Sequence, residues 1–189
     1  MMPTSSSAIL HTSKRVSVFV DGLNVMNRLR ERAWEEFFDV GHFARRVAGN
    51  RTLVGVFYFR PRPQMPPIKT TQQLRAEQLH FQNIESQLRQ DFGRYVRFGY
   101  MKKRGRRWEE KRTDVWIASQ MVHDAAMNAF DVAVLVTADT DLVPAVEFVR
   151  ILNKDVELVV FPGPSPNVSE LLSIVSWVKP ARKVYFQPY

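Results

Sequence analysis

The sequence predicts a three-layer α/β fold in which helices cover both faces of a central, mainly parallel sheet of five strands. Short apolar runs of the β type alternate with segments of helical periodicity, which is the order typical of a parallel sheet. The first run, 16–20, is apolar at almost every position. A strand that is buried on both of its faces has this composition.

The predicted elements follow one another along the chain in this alternating order. Five strands are predicted at 16–20, 53–59, 95–100, 132–136 and 156–161. Six helices are predicted at 24–33, 40–49, 72–92, 114–130, 141–152 and 168–177. The third helix has the clearest periodicity, because Leu74, Phe81, Ile84 and Leu88 fall on one stripe. The last dozen residues are expected either to add an edge strand or to stay extended.

The length of 189 residues and the hydrophobic content of 45% suit a single domain of ordinary size. We predict a disordered tail at 1–14, one domain at 15–178 and a C-terminal extension at 179–189. The N-terminus is rich in Ser and lacks the apolar core of a secretory signal, although an organelle transit peptide remains an alternative to a disordered tail. No apolar run approaches the ~18 residues that cross a bilayer, so no membrane contact is expected.

The positive charge of the chain is concentrated in one segment. The formal net charge is +8, and residues 94–112 carry +7 of it through nine basic and two acidic side chains. We call this segment the basic arm. A local basic patch indicates a polyanionic partner such as nucleic acid. The absence of cysteine excludes disulfide scaffolds, thiolate zinc sites, iron–sulfur clusters and cysteine nucleophiles, and it favours a reducing, cytoplasmic setting.

Acidic side chains follow two of the predicted strands directly. Asp21 and Asn24 come after the first strand, and Asp139 and Asp141 come after the fourth. Binding sites of parallel sheets lie beyond the carboxyl ends of the strands, above all where the strand order reverses. These positions therefore predict a cluster of carboxylates at one edge of the sheet.

A third source of acid is the helix predicted at 114–130. Asp114 shares its helix face with the apolar residues Ala118, Met121 and Ala125, whereas His123 points to the opposite side. Carboxylates that converge in this way repel one another unless a cation is bound. A site made only of oxygen ligands suits Mg²⁺ or Mn²⁺.

A purely structural explanation is available for each acid alone. Asp is common at helix starts, so Asp114 and Asp141 are each explained as caps, and Asp21 as part of an ordinary turn. Independent caps need not gather at one edge of a sheet, and the set as a whole therefore favours a functional site.

Three segments together resemble the NYN domain family, a branch of the PIN-like nucleases. They are Val18-Phe-Val-Asp-Gly-Leu-Asn24, Lys111-Arg-Thr-Asp-Val115 and Val134-Leu-Val-Thr-Ala-Asp-Thr-Asp141. The resemblance runs in order from about residue 15 to residue 177. It implies a PIN-like fold, a divalent metal site and ribonuclease activity.

The resemblance also assigns residues. Asp21, Asp114, Asp139 and Asp141 fall on the acidic positions of the family, and Asn24 falls on the Asn of its first motif. The chain departs from the common pattern where Arg112-Thr113 replaces Gly-Val and where Ala138 replaces a glycine. All the acids are kept, and the departure at Ala138 leaves rate and substrate open.

We therefore predict metal-assisted hydrolysis of phosphodiester bonds with Mg²⁺ or Mn²⁺ as cofactor. Asp21 and Asp141 are the predicted direct ligands, while Asp114 and Asp139 bind directly or through water. Asn24 orients a ligand or contacts a phosphate. These five residues form the predicted catalytic set.

The basic arm is predicted to hold the nucleic acid, with RNA favoured over DNA. It is expected to form a strand end, a turn centred on Gly105 and a return that leads to Asp114. The predicted nucleic-acid-binding residues are Lys102, Lys103, Arg104, Arg106, Arg107, Trp108 and Lys111. The arm's cations bind phosphates, and Trp108 either stacks on a base or packs against the domain.

Three other function classes were compared with this prediction. A non-catalytic RNA-binding or regulatory PIN-like module is the main alternative, although the intact acids argue against it. A phosphatase of the haloacid dehalogenase type usually has Asp-x-Asp after its first strand, where this chain has Asp21-Gly22-Leu23. Dinucleotide and P-loop folds lack support, because neither glycine motif occurs. The four histidines show no ligand spacing.

Overall fold

The fold is that of a computed structural model, which describes residues 13–34, 38–61, 70–92, 96–104, 107–163 and 168–186. Residues 1–12 of the predicted tail and Arg106 of the basic arm lie outside the described residues. The side chains of Arg104, Arg107 and Trp108 also lie outside the description.

Within these ranges the chain alternates between strands and helices, as predicted. The strands are β1 (Arg15–Asp21), β2 (Thr52–Pro61), β3 (Val96–Arg104), β4 (Arg107–Lys111), β5 (Val132–Val136), β6 (Asp155–Val160) and β7 (Trp177–Pro180). The helices are α1 (Gly22–Arg30), α2 (Val40–Ala48), α3 (Thr71–Phe92), α4 (Thr113–Ala126), α5 (Val143–Ile151) and α6 (Ser169–Ile174). None of the helices in the described ranges combines the length and the apolar character needed to cross a membrane.

Four helices differ from their predicted bounds by two residues or more at one end or both. The helix predicted at 24–33 is Gly22–Arg30, and the helix predicted at 114–130 ends at Ala126. The other two differ for local reasons. The segment predicted as 141–152 begins with a 3-10 turn at Thr140–Leu142, and α5 starts after it with a proline in its first turn. The helix predicted at 168–177 ends at Ile174, because the chain turns there and continues into β7.

The described strands form one sheet in the order β4-β3-β2-β1-β5-β6-β7. The mainly parallel α/β class is confirmed, but the predicted number of five strands is wrong. Six strands are parallel: the five predicted ones and β7, which pairs with β6 at the edge of the sheet. A seventh strand, β4, pairs antiparallel with β3. The return strand of the basic arm thus extends the sheet rather than standing apart from it.

Alternate side chains of the buried strands fill two cores, one on each face of the sheet. Val16, Val18 and Val20 of β1 point into a core closed by α1, α2 and α3. Phe19 points the other way, into a core closed by α4, α5 and α6. Asp21 follows Phe19 in this alternation, so its side chain belongs to the face covered by α4.

The C-terminal segment packs on the first of these cores. Phe186 is fully buried, and its ring stacks on Phe43 of α2 and on Phe161, with centroids 4.9 and 5.5 Å away. Ala181, directly after β7, is also buried. Described residues beyond 178 therefore contribute to the hydrophobic core of the domain.

The strand order reverses between β1 and β5. From β1 the chain runs outward through β2 and β3 on one side, then crosses to β5 and runs outward through β6 and β7 on the other. Val20 of β1 pairs with Val136 of β5 at the carboxyl end of both strands. The residues that follow this pair lie at the switch point, where open parallel sheets bind their ligands.

An ion pair joins the opposite, amino ends of β1 and β5. The Asp131 carboxylate accepts hydrogen bonds from the Arg15 backbone N–H at 2.8 Å and from Arg15 Nη2 at 2.8 Å. The guanidinium hydrogen bond holds the pKa of Asp131 at about 2, below its ordinary value of 3.8. Asp131 therefore stabilises the central strand pair as long as it is ionised.

Replacing Asp131 by Asn tests this contribution through its pH dependence. We expect a loss of about 1 kcal/mol in the free energy of unfolding at pH 7, since both side chains are about one-third exposed and solvent screens the pair. The depressed pKa gives stability that is present above about pH 4 and is lost as the pH falls toward 2.

Urea unfolding between pH 7 and pH 3 measures the difference between the two proteins. It should shrink below pH 4, and Glu147→Gln on the exposed face of α5 should change stability little throughout. A penalty for Asp131→Asn that stays constant down to pH 3 would contradict the ion-pair account.

Candidate active site at the carboxyl ends of β1 and β5

Asp21 is the last residue of β1, and only 5% of its surface is exposed. Its Oδ1 accepts a hydrogen bond from the Asn24 backbone N–H at 3.0 Å, so Asp21 also caps α1. Its Oδ2 accepts a hydrogen bond from the Thr137 hydroxyl at 2.9 Å, across the β1–β5 junction. The carboxylate is thus held from two sides in one orientation.

Burial raises the pKa of the Asp21 carboxyl from 3.8 to about 6. The hydrogen bonds from Asn24 and Thr137 oppose this rise, whereas the carboxylates of Asp114 and Asp139 add to it. Two hydrogen bonds therefore compensate the buried negative charge only in part. A positive charge at this position would stabilise the ionised form.

Asp139 and Asp141 lie on the short turn that follows β5. Asp139 Oδ1 accepts a hydrogen bond from the Asp141 backbone N–H at 2.9 Å, and this bond caps the 3-10 turn. The Asp139 backbone N–H donates to Thr137 Oγ1 at 3.1 Å. Thr137 therefore links the turn to Asp21, while the Asp141 residue is exposed.

Asp114 reaches the same site from the first turn of α4. Burial raises its pKa, and the carboxylates of Asp139 and Asp141 raise it further. Along the same helix Ile117, Met121 and Ala125 are buried against the sheet. His123 has a side chain that is 67% exposed, so it lies away from the carboxylates.

The start of α4 is positioned by close packing against β3. A Cβ atom on Gly99 would lie 2.4 Å from Thr113 Oγ1 and 2.6 Å from the Lys111 carbonyl oxygen. Only a glycine allows this approach, which brings the end of β4 and the first turn of α4 onto β3. Arg112, between them, has a left-handed backbone with φ of 78°. The chain thus turns sharply from the basic arm into Asp114.

The neighbouring carboxylates of the cluster contribute to the raised pKa values of Asp21 and Asp114. Asp21 is affected by Asp114 and Asp139, and Asp114 is affected by Asp139 and Asp141. Within the described ranges, however, no three acidic or histidine side chains are grouped tightly enough to ligate one metal ion together. Capping does occur at the site, but by other residues than predicted: Asp21 and Asp139 are the N-caps. Asp141 lies inside its 3-10 turn, and α4 has no side-chain cap, so neither Asp114 nor Asp141 is the N-cap residue.

The basic arm forms the hairpin of β3 and β4. Tyr100 pairs with Lys111 and Arg104 pairs with Arg107. Gly105, where the turn is predicted, and Arg106 lie outside the described residues. Lys102 and Lys103 are exposed, whereas Lys111 is half-buried. The Arg112 guanidinium lies over the Tyr100 ring at 4.9 Å from its centroid. The hairpin ends directly at α4, so the exposed lysines belong to the element that leads into Asp114.

Thr137 is a site residue that the sequence analysis missed. A signal for it does exist, since it follows Leu135 in the alternation of β5 and so faces the same core as Phe19 and Asp21. Its importance becomes visible only once Val20 is known to pair with Val136, because this register places Thr137 opposite Asp21.

Replacing Thr137 by Val tests how the Asp21 carboxylate is held. The hydrogen bond to Oδ2 is lost, so the pKa of Asp21 should rise from about 6 by about one pH unit. Carbon-13 NMR titration of the Asp21 carboxyl in metal-free protein measures it. Thr137→Ser keeps the hydroxyl and should keep the wild-type pKa. A Thr137→Val pKa at or below that of the wild type contradicts this role.

Comparison with known proteins places this site in a family context. Over 91% of its length the chain is similar to a crystal structure of a Vibrio parahaemolyticus protein of unknown function, with a TM-score of 0.67, 20% identity and 95% of that chain covered. This likeness shows the fold.

A curated relative covers a smaller region. A 73-residue segment, 36% of this chain, is 40% identical to the 6-hydroxy-3-succinoylpyridine 3-monooxygenase HspA of Pseudomonas putida. The match spans only 23% of the length of that enzyme.

The model of the NYN domain family matches residues 15–175, which include all four clustered acids. NYN domains lie within the PIN-like nuclease superfamily, and this membership suggests nuclease activity. Because the match covers most of its length, the chain belongs to the NYN domain family.

Proposed function

We propose that this chain is a divalent-metal-dependent ribonuclease that hydrolyses phosphodiester bonds at the cluster of Asp21, Asp114, Asp139 and Asp141. The observation that carries the proposal is the uncompensated negative charge at the switch point. Burial and neighbouring carboxylates raise the pKa values of Asp21 and Asp114 together. Structural ion pairs would lower these pKa values instead. Membership of the NYN domain family gives independent support.

The donor set fits Mg²⁺ or Mn²⁺ by its chemistry, since every candidate ligand is a carboxylate oxygen. The described residues offer no group of three ready ligands, yet Mg²⁺ commonly binds through one or two carboxylates and keeps several waters. We assign Asp21 and Asp141 as direct ligands and Asp114 and Asp139 as ligands directly or through water. A bound ion supplies Lewis-acid stabilisation of the charge that develops on the phosphodiester.

The residues of the chain divide the remaining work. Thr137 and the Asn24 backbone N–H hold the Asp21 carboxylate in one orientation, so little reorganisation is needed when a substrate arrives. Asp141 is the most exposed of the four carboxylates, so it is the one most accessible to an incoming substrate. The Asn24 side chain orients a ligand or contacts a phosphate oxygen.

The basic arm supports a nucleic-acid substrate in the same proposal. The exposed Lys102 and Lys103 bind backbone phosphates, and we favour RNA over DNA as the substrate. The monooxygenase relative gives no second candidate function, because the shared segment covers less than a quarter of that enzyme.

Asp21→Asn and Asp141→Asn test the carboxylate cluster. Each change removes a metal ligand and should lower the cleavage rate about 10²-fold or more. The assay follows labelled single- and double-stranded RNA and DNA with Mg²⁺, Mn²⁺ or EDTA. Asp155→Asn is the matched control, since Asp155 lies at the amino end of β6, on the opposite edge of the sheet, and should leave cleavage intact.

The proposal is refuted if either site variant cleaves at the wild-type rate. It is also refuted if the wild-type protein still cleaves in EDTA. Binding of RNA without cleavage by the wild-type protein would indicate the non-catalytic module instead.

Lys102→Ala and Lys103→Ala test the basic arm separately. RNA affinity is measured in EDTA as a function of salt concentration. Each replacement should reduce the slope of log K against log[salt] by up to about 1, because one phosphate contact is lost. Lys183→Ala, an exposed lysine near the C-terminus beyond β7, is the control and should keep the wild-type slope. If the slope of log K against log[salt] is unchanged in both variants, the basic arm does not contact the RNA phosphates.

A further inference from the structure

A polar cleft opens on α1 beside the carboxylate cluster. Its volume is about 320 Å³, and Asn24, Asn27, Arg28 and Glu31 line it. These positions have the spacing of one helix face, so the cleft runs along α1 away from Asp21. Asn24 belongs to both places, because its backbone N–H donates to the Asp21 carboxylate.

The floor of the cleft is held by an ordered ion-pair network. The Arg28 side chain is only 10% exposed, and its Nη1 donates to Glu31 Oε2 at 3.0 Å. Arg32 Nη1 donates to the same Glu31 oxygen at 3.2 Å and to the Arg28 carbonyl at 3.0 Å. Arg32 also donates to the carbonyl of Pro162, in the loop after β6. The network therefore joins α1 to a second loop at the carboxyl edge of the sheet.

The lining combines donors and acceptors without a net charge. Arg28 offers donors, Glu31 offers acceptors, and the amides of Asn24 and Asn27 offer both. Within the described ranges neither the Asn24 nor the Asn27 side-chain amide is hydrogen-bonded to another residue. Two amides that face a cleft with open hydrogen-bonding capacity are suited to a ligand that presents both donors and acceptors.

This chemistry favours a nucleobase over a phosphate. A phosphate in the cleft would lie beside the carboxylate of Glu31, which the Arg28 guanidinium keeps ionised by lowering its pKa. The edge of a nucleobase is uncharged and carries donors and acceptors together, and Asn and Arg side chains pair with such edges through two hydrogen bonds. Exposed bases of single strands are accessible to this kind of contact.

We propose that the cleft lined by Asn24, Asn27, Arg28 and Glu31 binds one nucleobase of a nucleic-acid strand whose neighbouring phosphodiester lies at the carboxylate cluster. The placement of the strand rests on the proposed nuclease function, whereas recognition of the base rests on the cleft alone. Asn27 reads the base edge, and Arg32 is a positioning residue that acts through Glu31.

The test measures the affinity of the full chain in EDTA for short homopolymers of A, C, G and U. The wild-type protein should prefer one base over at least one other by about tenfold or more, which is the range for one good bidentate pairing. Asn27 is exposed, so Asn27→Ala leaves the fold intact and should bring this ratio close to 1. Its salt slope should stay that of the wild type, since no phosphate contact is removed.

Arg30→Ala is the matched control, because Arg30 is exposed on the same helix but does not line the cleft. It should leave the base ratio unchanged. Wild-type affinities that agree within about twofold for all four homopolymers, or no binding to any of them, overturn the inference. A ratio that survives in Asn27→Ala also overturns it.

The two proposals fail in different ways. If cleavage depends on Asp21 and Asp141 but there is no base preference that depends on Asn27, base binding in the cleft is refuted and the nuclease proposal stands. Base preference that depends on Asn27 in a protein that cleaves nothing supports the cleft and refutes the nuclease.

Discussion

The burial of one carboxylate at the junction of two central strands is the constraint on which the site depends. Asp21 ends a strand that is buried on both faces, so its charge loses water, and two hydrogen bonds replace that water only in part. Its pKa of about 6 means that, without a cation, the fold loses stability as the pH rises from about 4 through 6. A cation bound beside Asp21 would remove this cost, which is why a destabilised residue at this position favours a functional account.

The topology also explains why charges of opposite sign lie in neighbouring elements. The reversal of strand order next to β1 leaves space for acids from β1, β5 and α4 at one edge. The β3–β4 hairpin carries the excess positive charge and continues directly into α4. Close packing of Thr113 on Gly99 ties the two together, so one segment presents the lysines and positions Asp114.

Hydrophobic periodicity was enough to predict the fold class, and the strand-end acids pointed to the edge of the sheet where β1 and β5 end. The apolar run of β1 and the alternation with helices follow from burial alone. The count of five parallel strands was too low because β7, one of the two alternatives for the C-terminal residues, does form an edge strand. It has only four residues, with Trp177 and Val178 exposed, so no apolar run marked it as a strand. Thr137 and Arg28 were missed for another reason. Their roles depend on partners fixed by tertiary structure, the β1–β5 register for Thr137 and the ion pair with Glu31 for Arg28.

The central claim is that the clustered carboxylates hold a divalent cation, and paramagnetic NMR with Mn²⁺ tests it most directly. The account predicts that substoichiometric Mn²⁺ first broadens the backbone amide signals of residues 21, 24, 114, 137, 139 and 141, and that Asp141→Asn weakens this effect. Broadening that begins at acids elsewhere in the chain, or that is the same in Asp141→Asn, would contradict the account.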